Sequence, residues 1–368
     1  MLKSKSKYYY LQLDDSGKRV YNSILSAWEA RNPNSSFRLN PPNAKTDIYK
    51  ILTYISLDNP GLFYVDFTKI ISASSSTSTT VQANFIYNER QITVLEKQLE
   101  TVITKILTSR KFDTMDKYDK ELTLHDYLVK NVSYVDDPNN DTTSIVAALI
   151  SNRAVCDGYA KAFKLLCDQA GLSCIVVSGK ATPLNMPEES HSWNIVKLNG
   201  VCSHVDVTWD STTRGDNDTC YDHFNLTDKD MARDHTWDRS LLPPCISSPN
   251  NYYVRNGQCV SSRAEFKRYI ISQLKKGKKT ITLRLIGQER TQEQVMNAAM
   301  EALADAQRLG YSINLRYNQK RGTASISVAR LSKSNQTCDM ADNRWASDIL
   351  IRLLNSIQKK LTVRKILV

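Results

Sequence analysis

Along the first ninety residues apolar side chains alternate with polar ones in short runs, and beyond them the repeat lengthens to three or four. Over 81–87, Val81, Ala83, Phe85 and Tyr87 fall on one side of an extended segment, the pattern of a strand with one buried face. "SKYYYLQL" at 6–13 and "GLFYVDF" at 61–67 read as further extended runs, and "GKRVYNSILSAWEA" between them as a helix. "SASSSTSTT" at 72–80 reads as a polar connection or edge strand. The pattern predicts an N-terminal α/β region over 1–91 with no catalytic signal of its own.

From Ile92 the period changes. Leu95, Leu99, Val102, Ile103, Ile106 and Leu107 lie on one helical stripe, a second helix is expected over 117–131, and a short third over "TSIVAALI". "DGYAKAFKLLCDQAG" is the clearest helix: Tyr159, Phe163, Leu166, Cys167 and Ala170 recur at helical spacing, and Gly171 is a natural stop. "SCIVVSG", "SWNIVKLNG" and "VCSHVDVTWD" then read as strands of an antiparallel sheet, divided by Gly and Asn turns. A helix packed on such a sheet predicts an α+β domain over 92–248. Over 249–330 two helices, "SRAEFKRYIISQLKKG" and "TQEQVMNAAMEALADAQRLG", alternate with "KTITLRLIG", "YSINLRYN" and "TASISVAR", predicting a small α/β module. The tail, 331–368, is basic and holds an amphipathic stretch around "WASDILIRLLNSIQKKL".

Composition narrows the function classes. With 41% hydrophobic and 24% charged residues the 368-residue chain is an ordinary globular one. No stretch is long and apolar enough to predict an integral membrane segment, and the start lacks the features of a cleaved leader, which points to the cytoplasm. The net charge is +11, and from Ser262 onward 21 Lys/Arg face 8 Asp/Glu, so the surplus belongs to the C-terminal part. Its one dense run, "KKGKK" at 275–279, has no adjacent aromatic pair, and no nucleic-acid-binding motif accompanies it. The eight cysteines include no CxxC and no metal-ligand spacing, and no D-x-[DN]-x-[DN]-G loop occurs, so neither a metal nor a cofactor is expected. A minority of disulfides near 220, 245 and 259 is compatible with their number.

Cys156 opens the clearest helix, where unpaired N–H groups and the positive helix end favour a thiolate. His191, after a Pro-rich loop, and Asp206, in the next strand, come side by side if the strands pair across Asn199–Gly200; imidazole would exchange the thiol proton and carboxylate would orient the ring. Spacing leaves alternatives open. His204, His223, His235 and His125 compete as bases, and Cys156 also reads as an inert buried thiol.

"VCDGYAKAFKLLCDQAGLSCIVVSG", followed by "HSWNIVKLNGVCSHVDVTWD", resembles the core of the transglutaminase-like superfamily, in particular its bacterial members. The resemblance runs over about 120–240. It implies a papain-like α+β fold, a Cys156–His191–Asp206 triad and acyl transfer on protein or peptide amides, including cell-wall peptides, by a peptidase, amidase or cross-linking transglutaminase. It also makes a cell-surface or secreted address compatible with the chain. Trp193 and Trp209 would shield the His–Asp pair and wall the substrate groove; Asp157, Gly158 and Tyr159 follow the nucleophile; Cys202 stands where an aromatic residue is usual and shares the Asp206 strand face. The rival class is a silent binding or scaffold protein that holds a wall polymer.

Overall fold

A computed structural model describes residues 4–37, 47–74, 78–108, 112–183, 186–212 and 219–287, then 298, 301–302, 304–308, 310–318 and 320–330. The chain divides into two units, Met1–Gln258 and Cys259–Val368. In the first, α1 (Tyr8–Leu11), α2 (Asp15–Glu29), β1 (Asn34–Phe37), α3 (Ile48–Asp58), β2 (Val65–Ser74) and β3 (Thr79–Phe85) form helices around a three-stranded antiparallel sheet, order β1-β3-β2. The run of tyrosines expected to be extended is a helical turn. Its backbone is claimed by a distant carboxylate: the N–H groups of Tyr9 and Tyr10 donate to Asp58 at 3.1 and 2.8 Å. The local β preference of aromatic residues gives way to that tertiary bond.

Next come α4 (Glu89–Leu107), α5 (Lys117–Asn131), β4 (Ser133–Tyr134), α6 (Ile145–Leu149), β5 (Arg153–Ala154) and α7 (Cys156–Gln169). Helix α4 starts in a reciprocal capping box between Asn88 and Gln91 and buries Leu99, Ile103 and Ile106 of the expected stripe. Helix α7 is followed by β6 (Ser173–Ala181), β7 (Glu189–Leu198), β8 (Val201–Val205), α8 (Val207–Thr212), β9 (Phe224–Leu226), α9 (Asp228–Met231), β10 (His235–Thr236) and α10 (Tyr252–Arg255). The strands make one antiparallel sheet, order β10-β6-β7-β8-β9. Asn199 and Gly200, with φ of 49° and 89°, make the tight turn between β7 and β8.

Helix α7 covers one face of this sheet: the Asn194 amide donates to the Ala160 carbonyl at 3.0 Å, and Tyr159, Phe163, Leu166 and Cys167 are buried. By the two-residue strand period His191 and Trp193 point to the other face. One contiguous core takes in both Trp28 and Ile55 from the first ninety residues and Phe163 and Val177 from the α7 layer. Residues of the N-terminal α/β region expected over 1–91 thus share one buried cluster with the layer that carries the sheet. Tyr9 donates its hydroxyl to the Val176 carbonyl at 2.7 Å, and Lys164 donates to the Ser6 carbonyl at 2.8 Å.

The second unit contains β11 (Cys259–Val260), α11 (Arg263–Lys275), β12 (Thr280–Leu285), β13 (Tyr311–Asn318) and β14 (Thr323–Arg330), with sheet order β11-β12-β14-β13. Phe266, Ile270 and Leu274 of α11 share a core with Ile281, Leu283, Ala324 and Ile326. The helix expected at 291–310 is described only in part, and residues 331–368, with the expected tail helix, lie outside the described residues.

Candidate active site

Cys156 is the first residue of α7, and its thiol is partly exposed. The cap residue, Val155, offers no side-chain acceptor, so it takes up none of the first-turn N–H groups around the thiol. His191, the third residue of β7, hydrogen-bonds Asp206 Oδ2 through Nε2 at 2.8 Å, and the Cys156 side chain is near enough to act on its ring. With Nε2 taken by the carboxylate, Nδ1 is the nitrogen left for the thiol. Burial opposes charge on this ring, but the Asp206 charge and hydrogen bond, with the influence of Cys156, outweigh it and raise the imidazole from 6.5 to about 10. Burial likewise opposes charge on Asp206, yet His191 and then His235 hold its carboxyl well below the usual carboxylate range.

Asp206 is not inside a strand, as the alternation of "VDVTWD" predicts. Strand β8 ends at Val205, and Asp206 turns the chain into α8: its Oδ1 accepts from the Trp209 N–H at 3.1 Å. The carboxylate that orients His191 thus also caps a helix, which fixes it from two directions.

The residues beside the nucleophile have distinct settings. Asp157 accepts from Ser192 Oγ at 2.8 Å and from Lys161 Nζ at 2.8 Å, tying the start of α7 to the residue after His191. Burial opposes the Asp157 charge, but Lys161 leads the groups that hold its carboxyl low. A side chain at Gly158 would meet the Thr142 carbonyl and the Ala154 Cβ, each at 2.8 Å, so only glycine lets α7 begin here. Tyr159 is fully buried and donates to the Val132 carbonyl at 2.6 Å, a packing role away from any opening. Trp209 is half-buried, with its ring 5.8 Å from His191; Trp193 is buried, nearly parallel to the His191 ring at 6.0 Å.

A family model described as the transglutaminase-like superfamily matches residues 107–209. The chain carries a transglutaminase-like domain. The match spans α5 through the start of α8 and so includes Cys156, His191 and Asp206. Kyphoscoliosis peptidase of Mus musculus is 36% identical over 70 residues, which is 17% of this chain and 11% of the mouse protein, so the chain spans a small part of that relative. A solved structure described as a candidate cysteine protease from Cytophaga hutchinsonii is 18% identical, covers 38% of this chain and 61% of its own, and has a TM-score of 0.26. A solved transglutaminase structure is 12% identical over 41% of this chain and 46% of its own, with a TM-score of 0.29.

A second histidine–aspartate–cysteine set starts within the matched residues and ends beyond them: donor atoms of His204, Asp228 and Cys245 fall within 4.8 Å of one another, as do those of His191, Asp206 and His235. Family and side-chain grouping are consistent with a cysteine-dependent mechanism. The second set is closed, however. Trp193 Nε1 can only donate, so His204 Nδ1 accepts at 3.0 Å, and Nε2 carries the proton and donates to Asp228 at 2.8 Å. No nitrogen remains for the Cys245 thiol, which is completely buried. Burial, its leading cause, keeps His204 below its ordinary value, and burial pushes the Cys245 thiol up. Cys202 belongs to this side: it lies two residues before His204, and burial raises its thiol as it does that of Cys245. The seven described cysteines, Cys220, Cys245 and Cys259 among them, are free thiols.

His235 is the residue that spacing could not single out from the other histidines. It reaches Asp206 from 29 positions away because β10 returns to pair with β6. Tyr134 gave no signal either; it is 46% exposed, and after burial Cys156 is the next influence that raises its phenol.

Proposed function

We propose that this protein performs acyl transfer on protein or peptide amides, with Cys156 as nucleophile, His191 as proton carrier and Asp206 as the group that orients it. The observation that carries this reading is the His191 ring, held between a buried carboxylate and a partly exposed thiol at the start of a helix. A ring raised to about 10 is protonated at neutral pH and paired with the sulfur. Attack by Sγ forms a bond to the amide carbonyl carbon; the C–N bond breaks, and His191 gives its proton to the departing amine, leaving a thioester. The oxyanion formed on the way would be met by the Cys156 N–H at the helix start. His191 then removes a proton from the second acceptor. Water gives hydrolysis, as by a peptidase or amidase, and an amine gives a cross-link. Cell-wall peptides fall within this substrate class.

The test is iodoacetamide labelling at pH 7, read by intact-protein mass spectrometry in wild type and His191→Ala. Rapid modification confined to Cys156, slowed in the variant, is the expected result. Slow or indiscriminate labelling overturns the reading and leaves a binding or scaffold role. Incorporation of a fluorescent primary amine into casein, set against release of casein peptides, then separates transfer from hydrolysis.

A further inference from the structure

Asp206 does not serve His191 alone. His235 Nε2 lies 3.1 Å from the same Oδ2 atom that His191 Nε2 engages at 2.8 Å. The other nitrogen of His235, Nδ1, lies 2.6 Å from Asp234 Oδ1. Carboxylate oxygens accept, so both His235 bonds are complete only when both ring nitrogens carry protons. The ring is then a cation between two anions. It is 1% exposed, and its centroid is 5.4 Å from that of His191. A residue that merely filled space here would need no second carboxylate.

The backbone holds this arrangement in place. Antiparallel pairing sets His235 opposite Ala181, and the Thr182 N–H donates to the Asp234 carbonyl at 2.8 Å. A side chain on Gly179 would come within 2.4 Å of the Thr236 carbonyl and 2.6 Å of the Trp193 ring, so β6 must carry a glycine for β10 to approach. Trp209 and Trp193 pack on the His235 ring at 4.5 and 4.9 Å and close it off from water.

We infer that His235 is a positioning residue of the candidate active site, which shares Asp206 Oδ2 with His191 and sets by its charge how firmly Asp206 holds the His191 proton. The inference rests on the acyl-transfer reading for its functional meaning, although the sharing of one oxygen by two rings does not. Asp234, His235, Asp206 and His191 form a hydrogen-bonded line in which carboxylates and imidazoles alternate. The cation at His235 draws negative charge from Oδ2 and repels the proton on His191, so it keeps that proton available to a leaving amine. The other charged or titratable groups facing the two rings are Asp157 near His191, His223 with its centroid 6.0 Å from His235, and His204, which feels the His235 charge. Asp210 stands behind His223, accepting from its backbone N–H at 2.9 Å.

The experiment is an NMR titration of the His191 ring in full-length Cys156→Ala protein labelled with 13C-histidine, assigned by loss of the signal in His191→Gln. His235→Gln removes the cation and keeps a neutral donor. Asp234→Asn leaves the ring and removes its outer counter-charge. The His191 titration is expected to move upward in both, on the order of one pH unit in His235→Gln and less in Asp234→Asn. No movement, or a downward one, overturns the inference, because a loosened packing site would weaken the hold of Asp206. If His235→Gln does not fold, Asp234→Asn decides by the same criterion. Iodoacetamide reactivity of otherwise wild-type protein is the separate readout. An inert Cys156 sinks the acyl-transfer reading while leaving the His191 titration to judge the role of His235.

Discussion

Cys156, His191 and Asp206 on one hand, and Cys245, His204 and Asp228 on the other, use the same three side-chain types around a shared tryptophan, and the proposed acyl transfer assigns the chemistry to the first set. The difference lies in what each imidazole has left to give. His191 spends Nε2 on Asp206 and keeps its other nitrogen for a partly exposed thiol. His204 spends Nδ1 on Trp193 and Nε2 on Asp228, and the thiol near it is sealed from solvent. Chemical identity therefore says less than hydrogen-bond vacancy and access, a lesson that applies wherever clusters are sorted by residue type.

The comparison breaks most sharply at the cysteines. Cys156→Ala is expected to lower turnover of an amide substrate on the order of 10⁴-fold, whereas Cys245→Ala should leave turnover within about twofold and cost about 1 kcal/mol of stability. Loss of turnover in Cys245→Ala without loss of fold, measured by urea unfolding beside the assay, would reverse the assignment of the two sets. The histidines come next. His191→Ala should slow Cys156 alkylation about 10²-fold. His204→Ala should instead lower stability by about 2–4 kcal/mol, because it strands a buried indole N–H and opens a cavity.

Acid and base sharpen the contrast further, since the two rings are shifted in opposite directions. His191 is raised from 6.5 to about 10, so its contribution to stability is complete below pH 6.5 and disappears as pH rises toward 10. His204 is lowered from 6.5, so its contribution is complete above pH 6.5 and is lost as pH falls below it. Each slope has a limit of about 1.4 kcal/mol per pH unit. Urea unfolding of wild type, His191→Gln and His204→Gln at pH 5, 7 and 9 should show the wild-type advantage over the first variant shrinking from pH 7 to 9. Its advantage over the second should shrink from pH 7 to 5. Slopes of the same sign for both variants would contradict the assigned environments.

Much of the Cys156 half of this comparison is legible in the amino-acid sequence. The stripe of Tyr159, Phe163, Leu166 and Cys167 marks α7 as a helix, and the Asn199–Gly200 turn pairs β7 with β8, because both are local properties of spacing and backbone; that Lys164 and Asp168 of α7 are buried as well is not visible in the stripe. The family resemblance points to Cys156, His191 and Asp206, which the fold brings together. Decisions made by distant partners lie beyond the reach of local pattern. Alternation in "VDVTWD" cannot reveal that Asp206 leaves the strand to cap α8. Five histidines cannot be ranked without the sheet order that brings β10 beside β6. The tyrosines at 8–10 look extended until Asp58 accepts the N–H groups of Tyr9 and Tyr10. Alternation over 81–87 shows a buried face and not what covers it, so the common core of the first ninety residues and the α7 layer has no signature in spacing.

Trp193 offers the finest test, because it touches both sets and separates them by chemistry. Its ring lies nearly parallel to His191, a contact that needs only an aromatic face, while its Nε1–H fixes the His204 tautomer. Trp193→Phe keeps a face beside His191 and deletes the donor to His204 Nδ1, leaving a buried acceptor without its bond. The expected cost is about 1–2 kcal/mol of stability. Cys156 alkylation should change by less than about fivefold, since the His191–Asp206 bond and the Asp157–Ser192 tie do not pass through the indole nitrogen. A much larger loss of reactivity at unchanged stability would mean that the two sets communicate through Trp193. The second would then be a support of the first, and the division drawn between them would have to be replaced by a single network.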